Sequence, residues 1–265
     1  MKSKEDRLIL VTNDDGVNAK GLASLIEVAR EFGNVIVVAP ETAQSGMGHA
    51  ITVKYPLRLR KYHHNSHYDV YSCSGTPVDC VKIANSVILK QKPDLLLSGI
   101  NHGSNASSSI FYSGTMGAAL EGCLDGIPSI GFSLTNYKLN ADFDPGEKFI
   151  RQIIINVLKN GLSTKYCLNV NIPAVPENEL AGIKICRQAR GYWEEDFEQR
   201  LDPGRNEYYW LTGRFINLEP DAEDTDEWAL KHNFVSIVPV PINLTSESGI
   251  QELKSWNLAH ELKTQ

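Results

Sequence analysis

Short, continuously apolar runs alternate along this chain with stretches of helical period. Leu8-Ile9-Leu10-Val11, Val35-Ile36-Val37-Val38-Ala39, Asp94-Leu95-Leu96-Leu97-Ser98-Gly99-Ile100, Ser129-Ile130-Gly131-Phe132-Ser133 and Cys167-Leu168-Asn169-Val170-Asn171-Ile172 read as strands. Apolar runs bounded by turn residues fit strands covered on both faces, as in parallel sheets. Between them, residues 20–32 predict a helix with Leu22, Leu25, Ile26 and Ala29 inward. A second helix is expected to about residue 89, burying Val78, Val81, Ile83, Ala84, Val87 and Ile88. Thr76-Pro77-Val78-Asp79 supplies its start: a capping threonine, a first-turn proline and an acid. Asp144-Pro145-Gly146-Glu147 reads as a capping box opening a third helix, with Phe149, Ile150, Ile153, Ile154 and Val157 inward. The alternation predicts an α/β fold with a doubly wound, mostly parallel sheet.

Two regions depart from that rhythm. Residues 51–53, 57–60 and 69–73 alternate apolar and polar and suggest half-exposed strands near an edge. His63, His64 and His67 fall between them and read as a solvated loop. In the last third, residues 183–188 and 208–212 read as strands of a long hairpin bearing Gly191-Tyr192-Trp193 and turning at Asp202-Pro203-Gly204-Arg205. The acidic run from Asp221 to Asp226 reads as a solvated loop, residues 234–240 as a closing strand, and 250–262 as an amphipathic terminal helix. The expected division is 1–180, an α/β core with the active site, and 181–265, a hairpin, closing strand and helix serving oligomerisation.

Composition narrows the partners. A formal net charge of -6 over 265 residues argues against a broad nucleic-acid surface. No apolar run approaches the length of a membrane span, and the charged start, residues 1–6, carries no signal-peptide core. Five scattered cysteines without a Cys-x-x-Cys pair argue against zinc sites and disulfides, and for reduced thiols in a cytoplasmic protein.

The chemistry gathers at strand ends. The first run stops at Asn13-Asp14-Asp15-Gly16. Ligands in open parallel sheets bind beyond the carboxyl ends of strands, so both carboxylates are delivered there. Adjacent carboxylates repel, and a divalent cation would stabilise the pair. The loop of residues 41–50, with Gln44-Ser45-Gly46, leaves a second strand end. A glycine- and serine-rich stretch, Asn101 to Ser113, opens a small-residue helix at Ser113-Gly114-Thr115. Free amides and hydroxyls at a helix start can cradle phosphate, although neither a Walker A loop nor a dinucleotide fingerprint is present. An all-oxygen donor set suits magnesium, manganese or calcium.

Taken in order, Val11-Thr12-Asn13-Asp14-Asp15-Gly16, Gln44-Ser45-Gly46, Gly75-Thr76-Pro77-Val78-Asp79-Cys80-Val81, Ser98-Gly99-Ile100-Asn101, Tyr112-Ser113-Gly114-Thr115, Asn169-Val170-Asn171-Ile172-Pro173 and Thr225-Asp226 resemble the SurE (survival protein E) family across nearly the whole chain. The resemblance implies a metal-dependent 5'-nucleotidase that hydrolyses nucleoside 5'-monophosphates, on a SurE-like sheet with an extended C-terminal hairpin. It implies one divalent cation, Mg2+ or Mn2+ with Ca2+ as a crystallographic substitute, held by Asp14, Asp15, Ser45 and Asn101. Phosphate contacts carry over to Asn105, Ser113, Gly114 and Thr115, and catalysis to Asp14 and Asp15. Which acid takes a proton from water, or whether one attacks directly, stays open. Hairpin exchange between protomers implies a homodimer or homotetramer. The chain departs from the family at Gly46-Met47-Gly48-His49, at His102 and at Pro203-Gly204-Arg205; His102 reads as a loop residue, with a group behind the metal ligands or a proton shuttle as the alternative. A nucleotide-binding sensor without hydrolysis is the alternative.

Overall fold

The computed structural model describes residues 2–64, 68–138, 140–256 and 258. A nine-stranded sheet runs through the molecule. Its strands are β1 (Leu8–Thr12), β2 (Asn34–Pro40), β3 (Leu59–His64), β4 (Tyr68–Cys73), β5 (Leu95–His102), β6 (Ser129–Leu134), β7 (Tyr166–Ile172), β8 (Gly182–Ile185) and β11 (Phe234–Pro241). The spatial order is β3-β4-β2-β1-β5-β6-β7-β11-β8. Pairing is parallel from β4 through β7 and between β11 and β8. It is antiparallel for β3 with β4 and for β11 with β7.

Alternate residues of the apolar strands enter different layers. Ile9, Val11, Leu95 and Leu97 pack with Leu22, Leu25, Phe149 and Ile150, from α1 (Lys20–Ala29) and α4 (Asp144–Asn160). Leu10 and Leu96 pack instead with Cys80, Val81 and Ala118, from α2 (Pro77–Ile83) and α3 (Gly114–Leu124). Helices therefore cover both faces, which is why these strands carry no polar alternation. Thr76 caps α2 as the sequence predicts: its hydroxyl accepts from Asp79 N and Asp79 accepts from Thr76 N.

The structure corrects several expectations. Residues 51–53 form no strand, and the edge strand starts at Leu59. His63 and His64 end β3 rather than lying in a loop, while His67 is outside the described residues. After Ile83 the backbone widens into a π-turn, Ala84–Ile88, and Val87 turns to solvent at 68% exposure. The wider turn shifts the helical phase that would have buried it. Asp144 lies inside α4 and makes no capping hydrogen bond. Residues 183–185 join the main sheet beside β11. The hairpin is formed instead by β9 (Gly191–Leu201) and β10 (Glu207–Asn217). A short helix, α5 (Asp226–Lys231), follows it, and α6 (Glu247–Ser255) comes last. Of the terminal helix expected to residue 262, residues 257 and 259–262 are outside the described residues.

Candidate active site

The two acids after β1 reach two different elements. Gly16 turns the backbone at φ +97, against the main chain of residues 42–43. Asn13 Nδ2 holds this turn by donating to Gly16 O at 3.0 Å. Asp14 is buried at the N-terminus of α3, where its Oδ1 accepts from Thr115 Oγ1 at 2.5 Å. A Cβ on Gly114 would stand 2.8 Å from Asp14 Cβ, so glycine lets the helix start press on the carboxylate. Asp15 turns the other way, and its Oδ2 accepts from His102 N at 3.0 Å. Burial pushes the Asp14 carboxyl up to about 6; the Thr115 hydroxyl opposes this and the Asp15 charge adds to it. Burial also raises Asp15, opposed by the His102 amide.

Asn101 stands at the end of β5, past a register shift relative to β6. Its Nδ2 donates to Gly103 O at 2.9 Å, so Oδ1 is the side-chain atom left to accept. Asn105 is set by a buried polar ladder. Its N–H donates to Asn171 Oδ1 at 2.8 Å, its carbonyl accepts from Asn169 Nδ2 at 2.9 Å, and its Nδ2 donates to Ser133 Oγ at 2.8 Å. Sequence reasoning missed these supports, although polar residues inside otherwise apolar strand runs were the available signal. Ser113 caps α3 by accepting from Met116 N at 3.0 Å. The Thr115 hydroxyl, expected to face phosphate, is spent on Asp14 and is fully buried.

A cleft of about 620 Å3 joins Asp14, Ser45, Asn101, Asn105 and Ser113. Tyr112, Tyr137, Trp193 and Leu211 add apolar wall, the last two from the hairpin. Half-buried Asp15 directly follows Asp14, and Gly114 and Thr115 directly follow Ser113 at the start of α3. His102 lines the cleft, packs edge-to-face on Phe143 with ring centres 5.0 Å apart, and leaves Nδ1 buried without a partner.

Among the described residues no three His, Cys, Asp or Glu side chains gather in a metal-holding group. A cation here would be held by two carboxylates and the neutral oxygens of Ser45 and Asn101. That set fits a hard divalent ion.

A family model described as Survival protein SurE matches residues 9–195. The chain belongs to the SurE family. Among SurE relatives, the protein named 5'-nucleotidase SurE from Christiangramia forsetii is 56% identical, over 97% of this chain and 99% of its own length. The protein of the same name from Flavobacterium psychrophilum is 54% identical, over 95% and 98%. The crystal structure of the SurE protein from Aquifex aeolicus superposes with a TM-score of 0.80 at 37% identity, covering 94% of this chain and 99% of that one. The doubly wound SurE sheet and the projecting hairpin expected from the sequence are both present.

Proposed function

We propose that this SurE chain is a metal-dependent 5'-nucleotidase that cleaves nucleoside 5'-monophosphates to nucleoside and phosphate. One observation carries the reading: Asp14 joins the end of β1 to the start of α3 in the same cleft wall as Asn101 and Asn105. Oxygen donors from distant segments thus converge beside a helix N-terminus, the arrangement that receives a phosphate. The names of the relatives support the substrate class.

Asp14, Asp15, Ser45 and Asn101 are the residues that would hold one Mg2+ or Mn2+. Bound there, the ion would supply Lewis-acid charge at a phosphoryl oxygen and lower the pKa of water. The chain's own groups do the rest. Ser113 and the first amides of α3 face the phosphoryl oxygens, and Asn105, locked by Asn169, Asn171 and Ser133, fixes their orientation. Thr115 holds Asp14 in place rather than touching substrate. Tyr112, Tyr137 and Trp193 offer flat apolar surface to a nucleobase.

The five cysteines are buried and free, which suits a reducing cytoplasm. Among the described residues no helix is long and apolar enough to cross a membrane. The hairpin exposes Phe197, Leu201, Tyr209, Trp210 and Leu211, which supports its burial between protomers of a homodimer or homotetramer.

Phosphate release from a panel of nucleoside 5'-monophosphates, with and without chelator, tests the proposal, with Asp14→Asn as the control. Metal-dependent release lost in Asp14→Asn supports it. Binding without release from any nucleotide makes the protein a sensor instead.

A further inference from the structure

The loop that carries Ser45 is anchored upstream by Gln44 N, which donates to Asp14 O at 2.7 Å. Downstream, Gly48 N donates to Tyr112 O at 3.0 Å. Ser45, Gly46 and Met47 lie between these points and are exposed. The next residue, His49, reaches away from the cleft to α3. Its Nε2 stands 2.8 Å from Glu121 Oε2. Glu121 is only 4% exposed, and its other oxygen is bonded by Lys82 from α2. Both carboxylate oxygens are therefore engaged, one by a helix and one by the loop. The loop backbone also presses on α3: a Cβ on Gly117 would come within 2.4 Å of Gly48 O.

We infer that the His49–Glu121–Lys82 cluster is a clasp that holds the Ser45 loop over the cleft, making His49 and Glu121 positioning residues for the cation-binding oxygens. This rests on the proposed metal-dependent reading. Four residues separate Gln44 from His49, and two of them, Gly46 and Gly48, are glycines at positive φ. Such a stretch has many conformations available, so the place of Ser45 depends on its anchors. His49 supplies the side-chain anchor on the downstream side; it is the last residue before the chain turns to the Thr76-held segment, where Thr76 Oγ1 donates to Ala50 O at 2.7 Å. Buried and with both oxygens used, Glu121 is a fixed post rather than a passing contact. Groups that fix the backbone carrying a metal ligand set metal affinity by orienting that ligand.

His49→Ala separates the clasp from the fold. The His49 side chain is 37% exposed, so water can take its place on Glu121 Oε2. Its melting temperature should stay within about 2 °C of the wild type, as for partly exposed sites. Amide exchange at Gly48 and Ala50, whose N–H groups donate to Tyr112 O and Met47 O, measured on metal-free protein, should quicken about tenfold as the segment opens locally. The Mn2+ dissociation constant, read by EPR, should rise about tenfold. His49→Gln, which can still bond Glu121, should recover most of both effects. Unchanged exchange and unchanged Mn2+ affinity in His49→Ala would overturn the clasp. So would nitrogen coupling on bound Mn2+ that disappears in His49→Ala, because His49 would then be a ligand itself. Wild-type protein that takes up no Mn2+ sinks the metal reading alone, and the exchange comparison on metal-free protein then decides the clasp.

Discussion

Thr115 and Asp14 are 101 residues apart, and a 2.5 Å hydrogen bond between their side chains ties the first strand to the third helix. The bond answers a specific need. Asp14 is buried, and the Thr115 hydroxyl is the strongest of the groups that hold its carboxyl down against burial. Thr115→Val keeps the shape and removes the donor. The cost should be about 1–3 kcal/mol, the penalty for leaving a buried acceptor unpaired. Phosphate release should fall about 10- to 100-fold, because the carboxylate proposed to hold the metal is then free to turn. Thr115→Ser should lie near the wild type. Urea unfolding and single-substrate kinetics on the three proteins check both effects. Equal activity in Thr115→Val would mean that Asp14 is placed by its backbone alone.

Removing the cation tests the donor set directly. A ligand that binds only the folded state stabilises it by mass action, by about 2.7 kcal/mol at one hundred times its dissociation constant. Saturating Mn2+ or Mg2+ should therefore raise the melting temperature of the wild type, and chelator should reverse the rise together with phosphate release. In Asp14→Asn and Asn101→Ala the metal-induced rise should vanish. A rise that survives both substitutions would place the cation elsewhere on the protein.

The parts of this molecule that could be read from its sequence share one property: their burial leaves a simple period. Strands β1, β2 and the first half of β5 are covered on both faces and appear as unbroken apolar runs, while β6 and β7 are as deeply buried but are interrupted by Ser129, Ser133, Asn169 and Asn171. Asp14, Asp15 and Asn101 follow from their positions at those ends. The hairpin is legible at its turn, Asp202-Pro203-Gly204-Arg205, and at residues 208–212, but its first strand left no such trace. Its two strands are exposed on both faces along most of their length, so neither alternation nor apolar density marks where pairing begins. The strand assigned to it, near Ile183, belongs to the sheet because β11 takes it as a parallel neighbour, Ile183 pairing with Val235 far along the sequence. Thr115 was located correctly, but the direction of its hydroxyl depends on how closely α3 meets β1, which Gly114 decides.

Asp226 shows the same limit from another side. The acidic run that contains it predicts a solvated loop, yet Asp226 is 1% exposed. Its oxygens accept from Ser107 N, Ala189 N and Glu227 N, each at 2.9 Å. The carboxylate thus pins the turn before Tyr112 and Ser113 to the base of the hairpin. Asp226→Asn places an amide N–H against one of these donors. Stability should drop by about 2–3 kcal/mol, as expected when a buried charged acceptor loses its bonds. Because Tyr112 and Ser113 follow the pinned turn, KM for a nucleotide should rise more than kcat falls. Denaturant unfolding and steady-state kinetics measure the two. An Asn variant as stable as the wild type would show that these amides find other partners.

Glu227 gives the fold a pH dependence of defined sign. Burial, reinforced by the Asp226 charge, pushes its carboxyl up to about 7 from an ordinary 4.5. The folded state then holds this proton more tightly than the unfolded chain does. Its contribution to stability is complete below pH 4.5 or so, declines as pH rises, and is lost above about 7. The full shift corresponds to about 3 kcal/mol, and partial contact with water reduces this to about 1–2 kcal/mol. Glu227→Gln keeps the size and removes the ionisation. The variant should match the wild type near pH 5 and exceed it at pH 8 by that amount, because a neutral amide replaces a buried carboxylate. Parallel urea titrations at the two pH values give the difference directly, and groups common to both proteins cancel. If the two stability curves run parallel from pH 5 to 8, Glu227 is ionised at no cost and its burial is relieved in solution.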